Sequence, residues 1–144
     1  MTEVLWTPPP SALETTRIGA FIAFVNRRTG TQLATYDEMY AWSIENLEQF
    51  WELVWEFFGV IAHDPYTQVL STREMPGARW FTGATLNYAE NSLAHCGNEV
   101  RLHAHSQTRG DATMTGNELR ALTGRIQAGL RALGVQQGDR VIGY

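Results

Sequence analysis

The sequence predicts an α/β fold whose N-terminal part is a helical, aromatic-rich segment. Three observations carry this. From Leu13 to Phe58, apolar residues recur at helical spacing. From Val100 to Tyr144 an alternating stretch, a long amphipathic stretch, a glycine turn and an apolar run read as strand, helix, turn and strand, the order of a parallel α/β unit. Between them, Pro76 to Leu93 changes from loop to helix near Thr85. Its Trp80 and Phe81 would each forfeit roughly 1.5–3 kcal/mol in water. The stretch therefore reads as a buried connector, with Trp80 largely buried and Trp80→Ala expected to cost on the order of 3–5 kcal/mol.

The elements follow in order. Pro8-Pro9-Pro10 gives an extended start, and Trp6 before it is expected to anchor the terminus. Ser11 and Glu14 have capping-box spacing. Leu13, Ile18, Phe21, Ile22 and Val25 then share a helical face, closed by Arg27, Arg28 and Gly30. Thr35 and Glu38 repeat the capping spacing ahead of a short helix with Met39, Tyr40 and Trp42. Ser43 or Asn46 caps the next helix, near Leu47–Phe58. Its apolar residues cover an arc of roughly 200° at 100° per residue. Glu48, Glu52 and Glu56 fill the remainder, and Gly59 ends it. Residues 60–75 read as an irregular linker with a turn at Asp64-Pro65. Leu86, Ala89 and Leu93 have helical spacing, and His95 to Asn98 reads as a turn. Val100, Leu102 and Ala104 alternate with Arg101, His103 and His105, the signature of a half-buried strand. After a turn at Gln107–Asp111, Ala112 to Met114 is a candidate returning strand. Thr115 and Glu118 form a third capping pair. Leu119, Leu122, Ile126, Leu130 and Leu133 then make one helical stripe, stopped by Gly134. Gly138-Asp139 turns the chain into an apolar strand at Val141–Tyr144.

Composition bounds the chemistry. The 144 residues are 44% hydrophobic and 11% aromatic, enough for about one domain with a real core. No apolar run approaches the ~20 residues of a membrane span. Residues 1–25 lack the pattern of a signal peptide, and one cysteine, Cys96, allows no internal disulfide. The expectation is a soluble, cytoplasmic chain that binds no membrane. All 11 positive charges are arginine, so neither a Walker A lysine nor a Schiff-base lysine is present. A net charge of −4, with Arg27-Arg28 the only adjacent basic pair, argues against nucleic acid.

Local motifs add no active site. No two glycines stand at G-x-G spacing, so the dinucleotide fingerprint is absent. His103 and His105 share a strand face, but two ligands alone do not make a metal site. His95 and Cys96 are neighbours that point apart, and Cys96 lacks an evident orienting base. The glutamate ladder could hold metal or act as paired carboxylates, yet a solvated helix face is the commoner use. An acidic polar face also disfavours lying on anionic lipid.

Several stretches occur together in one order: Trp42-Ser43, Phe50-Trp51, Ala78-Arg79-Trp80-Phe81, Leu86-Asn87-Tyr88-Ala89-Glu90-Asn91, Leu133-Gly134-Val135 and Gly138-Asp139-Arg140-Val141. In these the chain resembles the N-terminal end of an acyl-CoA synthetase of the adenylate-forming superfamily. Leu5-Trp6-Thr7-Pro8 and Trp51 to Val60 look most like the acetoacetyl-CoA branch. The resemblance implies a longer enzyme that uses ATP, Mg2+ and CoA to turn a small carboxylic acid into its CoA thioester through an acyl-adenylate. It implies an accessory segment at 1–98 and the start of the AMP-binding domain at 99–144, with its first strand-helix-strand unit. The family's phosphate loop, adenine and metal motif, hinge acid and catalytic lysine lie downstream, so no catalytic, cofactor-binding or metal residue is assigned, and the segment alone is expected to be inactive. An acetyl- or propionyl-CoA synthetase and a stand-alone interaction module are the alternatives. The acyl substrate and the oligomeric state stay open.

Overall fold

A computed structural model describes residues 5–143. The chain forms two compact units, Met1–Leu86 and Asn87–Tyr144, with mixed helices and small sheets.

The first unit opens with α1 (Ala12–Thr15) and α2 (Arg17–Thr29). Sequence spacing ran these together behind a Ser11 cap. The structure breaks them at Thr16, whose extended backbone (φ −108°, ψ 159°) starts α2. The Thr16 hydroxyl accepts from the Gly19 N–H at 3.2 Å, while Ser11 makes no side-chain cap bond. Gly19 explains the break. A Cβ there would fall 1.9 Å from the Leu13 carbonyl oxygen, so α1 lies directly against α2. Beyond Gly30, Asn26 staples the loop: its Oδ1 accepts from the Leu33 N–H and the Thr31 hydroxyl, and its Nδ2 donates to the Leu33 carbonyl, each at 2.9 Å.

α3 (Tyr36–Glu45) starts at the expected Thr35–Glu38 capping box. α4 (Leu47–Phe58) follows and ends at Gly59, φ 59°. Asn46 joins them, its Nδ2 donating back to the Trp42 carbonyl at 3.0 Å rather than capping α4. The three long helices bury Phe21, Ile22, Val25, Met39 and Leu53. Phe21 sits edge-on to Phe50 (5.8 Å) and Phe57 (5.1 Å), the arrangement the ring quadrupole favours.

Residues 60–75 are not an irregular linker. They contain β1 (Gln68–Leu70), antiparallel to β2 (Trp80–Thr82), with Leu70 opposite Trp80. Leu70 is buried. Three-residue strands are too short to show a period of two, which is why the sequence hid them. The expectation for Trp80 is corrected: it is 42% exposed, resting edge-on to Trp51 at 5.6 Å. The inward partner is its neighbour Phe81, 4.4 Å from Trp55 and 5.3 Å from Tyr66. Phe81 reaches inward from a left-handed backbone (φ 47°), while Trp80 before it stays half-exposed. Trp6 is also corrected. It is 75% exposed and so anchors nothing.

The second unit contains α5 (Tyr88–Leu93), β3 (Val100–Ala104), β4 (Ala112–Thr115) and α6 (Gly116–Ala132). α5 is capped by Asn87, which accepts from the Glu90 N–H at 3.0 Å. The Thr115–Glu118 capping box forms as expected. β3 and β4 pair antiparallel. The expected parallel strand at Val141–Tyr144 does not form over Val141–Gly143, while Tyr144 lies outside the described residues. A parallel pair needs a crossover return beside β3, and those residues instead stay exposed. β3 is exposed along its length rather than half-buried. Among the described residues the buried apolar side chains all lie in the first unit. The start of α6 is pinned to the preceding turn. The Gly116 N–H donates to the Glu99 carbonyl at 3.0 Å, the Arg120 guanidinium donates to the Leu93 and Cys96 carbonyls, and a Cβ on Gly116 would lie 2.6 Å from the Cys96 Cβ.

Candidate functional site

A cleft of about 630 Å³ lies beside α4, lined in part by Arg28, Glu52, Trp55, Glu56 and Tyr66. The glutamates that the sequence placed on one solvated face are there, but each takes a partner from outside α4. Glu48 accepts from Nε and Nη2 of Arg73. Glu52 accepts from the Tyr66 hydroxyl at 2.9 Å. Glu56 accepts from Arg28 at 2.8 Å. The partners lie 25, 14 and 28 residues away in sequence, so local spacing could not reveal them. The Arg73 guanidinium holds the Glu48 carboxyl below the usual range. Burial, and then the bond to Glu52, push the Tyr66 phenol up.

Every carboxylate of the ladder is already engaged by a partner within the first unit. The residues do not fit Mg-ATP or CoA, because Glu52 and Glu56 would repel phosphate oxygens and the lining cation, Arg28, is already paired with Glu56. Among the described residues, no three of His, Cys, Asp and Glu are grouped so as to hold a metal ion.

The other sequence candidates are separate. His105 lies beyond the end of β3 and its Nδ1 is 3.0 Å from Asp111 Oδ1. His103 pairs in register with Thr113. Cys96 and His95 line a small pocket of about 190 Å³ with Arg101, and the Cys96 thiol contacts the Ser92 carbonyl at 3.6 Å. No helix among the described residues is long and apolar enough to cross a membrane.

Comparison with known proteins shows what the chain is similar to. The family described as acetyl-coenzyme A synthetase N-terminus matches residues 36–92, which span α3, α4, the β1–β2 ribbon and most of α5. Acetoacetyl-CoA synthetase of Danio rerio is 37% identical over 146 residues, covering 99% of this chain and 21% of the relative. The chain matches the N-terminal segment of acyl-CoA synthetases. The Rattus norvegicus acetoacetyl-CoA synthetase is 36% identical, with 99% and 21% coverage. The Rhizobium meliloti (strain 1021) acetoacetyl-coenzyme A synthetase is 36% identical, with 95% and 21% coverage. The chain thus spans about a fifth of the length of the curated relatives it matches, and the acyl-CoA synthetase segment it resembles includes both structural units.

Proposed function

We propose that this chain is the N-terminal part of an ATP-dependent acid-thiol ligase that makes acetoacetyl-CoA from acetoacetate through an acyl-adenylate, in the cytoplasm. The observation that carries the reading is similarity running through 99% of the chain to the N-terminal segment of acetoacetyl-CoA synthetases. In this reading residues 1–98 are the accessory segment and 99–144 begin the AMP-binding domain of the adenylate-forming arrangement. ATP, Mg2+ and CoA are held by residues that follow, in keeping with the cleft's unsuitability for phosphate. The absence of lysine from this chain fits a catalytic lysine placed downstream.

Exchange of labelled pyrophosphate into ATP tests it. The full-length protein is expected to exchange when acetoacetate is present, and residues 1–144 alone are expected not to. Acid-dependent exchange by the segment, or none by the full-length protein, overturns the reading. The description of the matched family favours a second reading, an acetyl-CoA synthetase. A higher kcat/KM for acetate than for acetoacetate would select it. A chain that naturally stops at Tyr144 would favour an interaction module.

A further inference from the structure

α3 carries apolar residues on two sides. Met39 is buried in the core and Trp42 packs against it. Tyr36, Tyr40 and Ile44, spaced by four, form a separate stripe and are 64%, 57% and 56% exposed. The Tyr36 and Tyr40 rings stack at 6.5 Å and 14°. The stripe continues into an apolar groove of about 350 Å³, walled by Pro8–Pro10 and lined by Leu13, Ile18 and Tyr36. Leu13 and Ile18 are themselves exposed. A continuous apolar surface of this kind marks a docking face. Its tyrosines offer apolar area with a polar tip, the composition enriched at interfaces. Proline backbone and stacked rings are stiff, so ordering them on docking costs little.

We propose that this face is covered in the full-length protein by the catalytic body that follows the segment. The proposal rests on the ligase reading. The relatives extend about four-fifths of their length beyond the matched region, which supplies an occupant on the same polypeptide. Tethering gives that occupant an effective concentration on the order of millimolar, far above that of a second copy, so a surface of modest strength is filled from within.

Hydroxyl-radical footprinting of the full-length protein tests it, read at Tyr36 and Tyr40 by mass spectrometry against an unfolded digest of the same protein. The expected result is labelling several-fold below the unfolded rate at both tyrosines, unchanged when the protein is diluted. Labelling near the unfolded rate overturns the proposal, because the exposure seen in the segment then persists. Protection lost on dilution also overturns it, assigning the face to a second copy. Tyr40→Glu is expected to restore labelling at Tyr36; continued protection there would count against docking through this stripe. Pyrophosphate exchange on the same preparation separates the two claims: an active enzyme with reactive tyrosines fails only the docking, and an inactive protein with protected tyrosines fails only the ligase reading.

Discussion

At the scale of single residues, Phe81 holds an aromatic side chain at φ 47°, a region that costs a bulky L-residue about 1–3 kcal/mol. Its contacts with Trp55 and Tyr66 offset that cost. Phe81→Ala and Phe81→Gly both lose the ring, but glycine relieves the backbone. Phe81→Gly is therefore expected to be the more stable variant by about 1 kcal/mol in denaturant melts, reversing the usual order inside a strand. Equal stabilities would show that the backbone relaxes once the ring is gone. Trp80→Ala, at a half-open site, is expected to cost about 1 kcal/mol rather than the larger loss its sequence context suggested. Gly19 makes a second contrast. Gly19→Ala must displace the Leu13 carbonyl and is expected to cost about 1–3 kcal/mol. Gly129→Ala, within α6 and facing open space, is expected to stabilise by about 0.5–1 kcal/mol. Thermal melts of the pair decide it.

At the scale of elements, the helices were legible and the ribbon was not. Capping boxes are local patterns of four residues, and two of three formed as read, at Thr35 and Thr115. The third failed because Gly19 let α1 close onto α2, a contact no spacing rule contains. Thr35→Ala and Thr115→Ala are accordingly expected to cost about 1 kcal/mol each, and Ser11→Ala close to nothing. Chemical denaturation of the three variants checks this, and a large effect at Ser11 would contradict the break at Thr16. The caps also set an acid limit. The Ala34 N–H above all holds the Glu38 carboxyl below its ordinary value, and the Thr115 N–H does the same for Glu118. A depressed carboxyl stabilises the fold above its unfolded value and loses that contribution as pH falls through the folded one. Stability is thus expected to drop below about pH 4.5, and Glu38→Gln to flatten the drop in Tm measured against pH. The ladder on α4 was legible as a face but not as a set of clasps, since Arg28, Tyr66 and Arg73 reach it from distant positions.

At the scale of the whole molecule, the helix order, two of the three capping boxes and the aromatic core could be read from sequence because they depend on near neighbours. The parallel sheet could not, because it requires strands to find partners across a crossover, and β3 found β4 instead. The candidate cleft depended on the same kind of distant meeting. The two units differ in what holds them. Phe21, Ile22, Val25, Met39, Leu53 and Leu70 are buried in the first, while the second shows Gly116 as its buried helical residue. Amide hydrogen exchange on residues 1–144 is therefore expected to show slow exchange in α2 and α4 and fast exchange in β3 and α6. Similar protection in both would mean that the second unit has cohesion its burial does not account for.

The Asn26 staple, the Phe21 ring cluster and the Leu70–Trp80 pairing all close within the first 86 residues. That has a consequence for birth on the ribosome. Synthesis at about 5–20 residues per second leaves several seconds between the last residue of the first unit and that of the second. Helix formation and loop closure take microseconds or less. The first unit can thus complete its core while the nascent chain is still being made, and it reaches later-made parts of the polypeptide as an already folded body.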